Sequence, residues 1–196
     1  MNRILLWVAC LGALLLGSVA CQKQMPAALP ELRLSPSSFN GSVNMIQQIQ
    51  ITPLHLSSKE KSTPTSLDAL VEISPEKVKI AGFAMGQRIL NLSWDGQNWE
   101  STRHPLLPPE FKESQVLRDL QYASWPLEVV CAALPAGWTF SESGLARTLS
   151  LENVPKLLVR YENRALWQGD MTVDNVAENY RLRIRSKPVS GRVEKK

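Results

Sequence analysis

The chain is short of the residues on which most enzymatic chemistry draws. Two histidines and three cysteines are spread over 196 residues. There is no glycine-rich phosphate loop, no HExxH, no CxxC pair and no GxSxG elbow, so the common nucleotide, metal, redox and acyl-transfer sites lack their signatures. His55 and His104 lie beside prolines in loop-like sequence, without a serine or cysteine partner, and read as surface residues. Asp95 reads as a turn-former and Asp119 as part of a solvated helix face. Aromatic residues make up only 7%, and the net charge of +4 is too small to argue for nucleic acid. These shortages lead us to expect a non-catalytic protein with no cofactor, no metal and no nucleic-acid partner. What the chain does have is 44% hydrophobic residues, enough for the core of one domain, and 13 prolines that divide it into short elements.

Arg3 is followed by an uncharged, strongly apolar run from Ile4 to Ala20. A basic start, a short apolar stretch and a small-residue exit describe a secretory signal. A membrane span is the competing reading, but the run is at the lower edge of the length a bilayer requires. The exit decides between them, because Gly17-Ser18-Val19-Ala20-Cys21 resembles the lipobox of bacterial lipoproteins. That resemblance implies a signal peptide over 1–20 and acyl chains on Cys21 that anchor the protein in a membrane. Gln22, rather than aspartate, follows the lipidated residue, and by the same resemblance favours sorting to the outer membrane, on its periplasmic face. Cys10 would leave with the signal, so Cys131 would be the one remaining thiol and is expected to be buried.

Residues 21–41, with Pro26, Pro30, Pro36 and Gly41, read as a lipidated tether with a short strand at Leu32–Leu34. Alternation begins at Val43, Met45, Gln47, Ile49 and Ile51, which share one face of a first strand. Residues 57–66 read as a polar loop. Leu67, Ala69, Val71 and Ile73 mark a second strand, Lys77 to Ile80 a third and Arg88 to Trp94 a fourth. Asp95-Gly96 signals a hairpin into Asn98–Arg103. The period then changes: Val116, Leu120 and Ala123, with Leu117, predict a helix that Trp125-Pro126 ends. Leu127, Val130, Cys131 and Leu134 predict a second short helix, stopped by Pro135 and Gly137. Further strands are expected at Thr148–Leu151, Leu157–Tyr161, Met171–Val173 and Tyr180–Arg185. The fold class is therefore α+β, an antiparallel meander with two helices packed on it, over 42–187, followed by a basic tail over 188–196.

Arg181, Arg183 and Arg185 share one face of the last strand. They read either as a solvated face, one that would also protect a sheet edge, or as a contact for anionic lipid headgroups. Trp94, Trp99, Trp125, Trp138 and Trp167 read mostly as core, with some available to line a cavity.

Trp94-Asp95-Gly96, Leu106-Leu107-Pro108-Pro109-Glu110, Arg118-Asp119-Leu120-Gln121, Trp125-Pro126 and Leu134-Pro135-Ala136-Gly137-Trp138 together resemble an uncharacterised family of bacterial lipoproteins associated with aryl-polyene biosynthesis genes. A more distant likeness joins Lys79-Ile80 through Phe83-Ala84-Met85-Gly86 and Arg88–Leu92 to a hairpin of the outer-membrane lipoprotein receptor LolB, and Pro126-Leu127 to Leu134-Pro135 to a short helix of that protein. This second resemblance implies a curved, incompletely closed antiparallel β-sheet, a LolA/LolB-like half-barrel, with two short helices over its concave face and a pocket for acyl chains. Met85 before Gly86 falls on the protruding apolar position that passes lipidated cargo to the membrane; the alternative is that Met85 folds back onto the sheet. The implied function is binding or transfer of a lipid-like cargo, either an acylated protein or an aryl-polyene lipid. The alternative is a docking lipoprotein that recruits a partner protein of unknown identity, its concavity filled by its own helices.

Overall fold

The computed structural model describes residues 28–55, 64–107, 111–163 and 168–189. Cys21, Gln22, the apolar run before them, Pro108 to Glu110 and Trp167 lie outside the described residues.

The chain forms a ten-stranded sheet in the order β5-β4-β3-β2-β1-β10-β9-β8-β7-β6, antiparallel throughout. The first half runs outward from the centre: β1 (Val43–Pro53), β2 (Thr65–Ile73), β3 (Val78–Ala84), β4 (Gln87–Trp94) and β5 (Trp99–Arg103). Two helices, α1 (Glu113–Ser124) and α2 (Leu127–Ala132), carry the chain to the opposite edge. The second half then steps inward through β6 (Trp138–Ser143), β7 (Ala146–Leu151), β8 (Val154–Tyr161), β9 (Gly169–Asn175) and β10 (Tyr180–Pro188). β10 pairs with β1 along nine registered positions from Met45–Pro188 to Pro53–Tyr180. The edge strands β5 and β6 do not pair, so the sheet does not close into a barrel. This is the half-open antiparallel sheet with short helices that the sequence led us to expect.

Alternation explains which face is covered. Met45, Val71, Ile73, Val78, Ile80, Leu92, Leu149, Leu157, Val159 and Val173 turn to one side and are buried, while their neighbours along each strand turn to the other face, where most are partly or fully exposed. Asp95 makes the β4–β5 turn: its Oδ1 accepts the N–H groups of Gln97 at 2.9 Å and Asn98 at 2.7 Å. Those bonds stabilise the carboxylate and push its pKa down to about 2.

Helix α1 ends because Trp125 precedes Pro126 and takes extended angles. Its open carbonyls are met by Arg147 of β7, which donates to Trp125 O at 2.8 Å, and by Tyr161, whose hydroxyl donates to Ala123 O at 2.6 Å. The sequence predicts a single apolar stripe on this helix. Instead every residue from Leu117 to Ser124 is buried.

The reason is a strap that covers the helix from outside. Residues 28–40 were expected to be part of a tether, yet Leu29, Leu32, Leu34 and Phe39 are buried in the main core. Leu32–Leu34 forms no strand, and Pro36–Phe39 is a short 3-10 helix. Trp94 Nε1 donates to Leu34 O at 2.9 Å, Tyr122 OH to Pro30 O at 3.0 Å, and Trp125 Nε1 to Ser38 Oγ at 3.1 Å. The Arg33 guanidinium lies 4.9 Å from the Trp99 ring centroid and 5.6 Å from that of Trp94. Trp94, Trp99 and Trp125 therefore clamp the strap rather than line a cavity. At the other end, Val189 N donates to Asn44 O at 3.0 Å, so the sheet extends slightly past residue 187.

Candidate functional site

The concave face is not filled by its own helices. Between β1, β2, β9, β10 and helix α1 lies a cavity of about 230 Å³. Ile49, Ile51, Leu67, Leu182 and Ile184 form its floor, and Leu107, Phe111, Val116 and Leu120 form its roof. Sequence explains the space: Ala69 and Gly82 stand on the inner face where larger residues would have filled it, and Ala123 faces them from the helix. Gly82 also sits at a register shift, where an added Cβ would meet Leu90 Cβ at 3.3 Å. Ile49, Ile51, Leu67 and Leu182 are only half-buried, so apolar surface is left uncovered inside the sheet. For scale, an apolar cavity of about 150 Å³ stays dry and admits benzene.

One end of the cavity is closed by a polar cluster built around Arg118, itself only 2% exposed. Its Nε and Nη2 donate to Asp119 Oδ1 at 3.0 and 2.9 Å, and its Nη1 and Nη2 donate to Glu178 Oε1 and Oε2 at 2.7 and 2.8 Å. Tyr180 OH donates to Asp119 Oδ2. Gln115 Nε2 and Asn175 Nδ2 each donate to Glu178 Oε2 at 3.1 Å. All four carboxylate oxygens thus accept bonds from within the cluster. One guanidinium faces two carboxylates, and burial outweighs its attraction at Asp119, whose pKa is raised. Burial likewise raises the Tyr180 hydroxyl, with the Asp119 charge adding to the effect. The expectation that Asp119 belongs to a solvated face is overturned, because it faces the cavity, where Arg118 and Tyr180, at the start of β10, enclose it.

A second polar residue, Gln47, stands in the apolar floor. Its Nε2 donates to Ser186 Oγ at 3.1 Å and approaches Met45 Sδ at 3.5 Å.

Met85 and Gly86 form the two-residue turn between β3 and β4, with φ of 50° and 74°. Positive φ at both central residues marks a type I′ hairpin turn. Met85 does not fold back: it is 90% exposed. Cys131 is also exposed, against expectation. Helix α2 is only six residues long and stands at the sheet edge against β6, so Val130 is its one fully buried side chain while Cys131 faces outward, its thiol 3.3 Å from Phe140 O. His55 is exposed, and its backbone N–H donates to Asn179 Oδ1 at 2.9 Å. His104 lies in a turn, where Nδ1 accepts Leu106 N–H at 3.2 Å.

The three arginines of β10 do share the convex face, but the strand lies between β1 and β9 and is no edge. Two of them are neutralised: Arg181 donates to Asp174, with Nη2–Oδ2 at 2.8 Å, and Arg185 makes a two-pronged contact with Asp170 at 2.9 and 3.0 Å. Those arginines hold the Asp174 and Asp170 carboxyls below the usual carboxylate range. Arg183 alone is exposed and unbonded among the described residues.

Two of these features went unread in the sequence. The Arg118 cluster joins residues some sixty positions apart, which no local pattern reveals. Gln47 did carry a signal, as one polar residue within the apolar stripe of β1. Among the described residues no group of His, Cys, Asp and Glu could hold a metal ion, and no helix is long and apolar enough to cross a membrane. Comparison with curated proteins gives no match. Residues 45–188 match the family described as "Protein of unknown function (DUF3261)", and the chain belongs to that family.

Proposed function

We propose that this protein is a lipoprotein, anchored through Cys21 and sorted through Gln22 to the periplasmic face of the outer membrane, that binds or hands over a lipid-like cargo. The cavity carries the reading. Its walls are almost entirely aliphatic, it is larger than a packing defect, and half-buried isoleucines and leucines remain in it for a ligand to cover. Moving an acyl chain into water costs about 0.8 kcal/mol per methylene, so a carrier needs an apolar shelter and no catalytic group. It must hold its cargo less tightly than the membrane does, and a partly open sheet suits that requirement better than a closed barrel.

The likeness to LolB and to lipoproteins of aryl-polyene clusters narrows the cargo to an acylated protein or an aryl-polyene lipid. Met85, exposed at the tip of its hairpin, is the group that would enter the membrane or the cargo first. A docking role without cargo is the second reading. It is favoured by Ile46 and Leu70, paired neighbours on the convex face that are 49% and 40% exposed.

Native mass spectrometry of the mature protein purified from its own cells tests the carrier. Bound lipid is expected on the parent and is expected to be lost on Ala69→Leu, which fills the cavity floor. A parent that carries no lipid, or an Ala69→Leu variant that carries as much as the parent, would overturn it.

A further inference from the structure

Gln47 lies near the middle of β1, on the face that also presents Met45, Ile49 and Ile51, and it is 5% exposed. A buried amide is tolerated when its hydrogen-bonding groups are met, and each one left unmet costs about 1–3 kcal/mol. Here one end is met and the other is not. The nitrogen donates to Ser186 Oγ, and its second contact is the Met45 thioether, which can only accept. The Ser186 hydroxyl can pair with either end of the amide, but the thioether favours the nitrogen, which leaves the carbonyl oxygen over. Oε1 has no partner among the described residues, and it is not sealed in protein either, the one sealed orphan being Ser93 Oγ. Its residue lines the cavity. The aliphatic floor therefore contains one open hydrogen-bond acceptor.

The other polar groups of the lining stand at the Arg118 end rather than in the floor. Asp119 and Tyr180 are bonded to each other, and Gln115 donates to Glu178 from helix α1, its own carbonyl oxygen lying beside that cluster's carboxylates. Along the strands they are also distant: Gln47 registers with Ser186, whereas Tyr180 registers with Pro53. The two positions are six residues apart along β1, about 20 Å.

We propose, building on the carrier reading, that the cargo is a hydroxylated hydrocarbon chain whose hydroxyl donates to Gln47 Oε1. The chemistry of the acceptor selects this class. A carboxylate has no proton to give and would meet the carbonyl lone pairs. An ammonium would be buried without a counter-charge, because the carboxylates of the Arg118 cluster are already bonded. An amide would bring a carbonyl of its own, with no donor waiting for it. A hydroxyl is the smallest neutral donor, and it leaves the rest of the chain to the aliphatic walls. A plain chain pressed against Oε1 would instead strip the carbonyl of water and give nothing back, so it is disfavoured.

The test uses the full mature protein held in phosphatidylcholine nanodiscs, with empty nanodiscs as the blank. Stearic acid and its mono-hydroxylated isomers, with the hydroxyl placed from near the carboxyl to the chain end, compete against a bound fluorescent polyene fatty acid. We expect one isomer to displace the probe about tenfold better than stearic acid, the value of one buried acceptor satisfied. Gln47→Met, close in volume and without the amide, is expected to erase that preference while still binding stearic acid. If stearic acid displaces the probe and no isomer surpasses it, the hydroxyl proposal falls and the carrier reading stands. A preference that survives Gln47→Met also overturns it. If no fatty acid displaces the probe from the protein, the carrier reading falls and takes this inference with it. Should Gln47→Met fail to fold, the isomer comparison on the parent decides alone.

Discussion

The side-chain amide of Gln121 bonds both of its ends to the main chain of Leu34. Oε1 accepts the Leu34 N–H at 3.2 Å, and Nε2 donates to the Leu34 carbonyl at 3.1 Å. A fully buried side chain thus replaces the strand that residues 32–34 do not form. It supplies the main chain with the partners that a ladder would otherwise provide. Gln121→Leu is expected to leave the Leu34 N–H buried and unpaired, because only the carbonyl keeps a partner, in Trp94. The expected loss is about 2–4 kcal/mol, read as a lower urea midpoint at unchanged m-value. A loss below about 0.5 kcal/mol would mean that the strap is not part of the cooperative fold.

The Arg118 cluster predicts a pH dependence of unusual sign. Burial raises the Asp119 pKa above that of an ordinary aspartate, so between the two values the folded state binds more protons than the unfolded state. Its contribution to stability is present at low pH and is lost as pH rises through the folded value. Asp170 and Asp174 act in the opposite direction, because their arginine partners lower their pKa values and their contribution disappears as pH falls. Comparing the parent with Asp119→Asn isolates the first effect. The stability difference between parent and variant should shrink as pH rises from below 4, measured by urea unfolding at each pH. A difference that widens instead would show that Asp119 is held ionised by Arg118.

Most strands are legible because their inward residues are plainly apolar. Leu67, Ala69, Val71 and Ile73 are such a set, and Asp95-Gly96 announces the following turn. β6 is missed for the complementary reason: as an edge strand it buries only Phe140, so it shows no alternation. The strap is missed because its prolines and polar residues have the composition of a linker, while its four buried apolar residues contact elements sixty to ninety positions away. That single omission also hides the burial of Gln121, which faces the strap, whereas the burial of Asp119 depends on Tyr180, some sixty positions away. The cavity is legible only as a hydrophobic face; that it stays open depends on Ala69 and Gly82, whose small size means nothing until they face a helix.

Cys131 stands exposed on a one-and-a-half-turn helix. A thiol reagent is expected to modify it rapidly in the folded protein without denaturant, with no loss of stability. Labelling that requires urea would place the thiol inside the core after all.

Cys21→Ser is expected to abolish incorporation of radiolabelled palmitate and to release the protein from the outer-membrane fraction. Gln22→Asp is expected to leave acylation intact and retain the protein in the inner membrane of a Gram-negative host. Equal palmitate incorporation in the Cys21→Ser variant would remove the lipobox, and unchanged fractionation of Gln22→Asp would remove the sorting role.

Met85 adopts a conformation that its side chain disfavours. With φ at 50° it occupies the left-handed region, where a type I′ turn ordinarily places asparagine or glycine. A residue that packed against the sheet could repay this strain through burial, but Met85 is almost fully exposed and repays nothing in the fold. Two substitutions separate folding from function. Met85→Asn is expected to stabilise the domain by about 1 kcal/mol, because the turn then has its preferred residue. Met85→Glu should leave stability within about 0.5 kcal/mol of the parent, since no burial is lost. Both are expected to weaken the delivery of cargo to liposomes, Met85→Glu more severely, because a carboxylate at the tip resists entry into an apolar phase. Thermal melts and a transfer assay with acceptor liposomes read the two properties independently. Wild-type transfer by a well-folded Met85→Glu variant would remove the hairpin tip from the mechanism and leave its strain without a functional account.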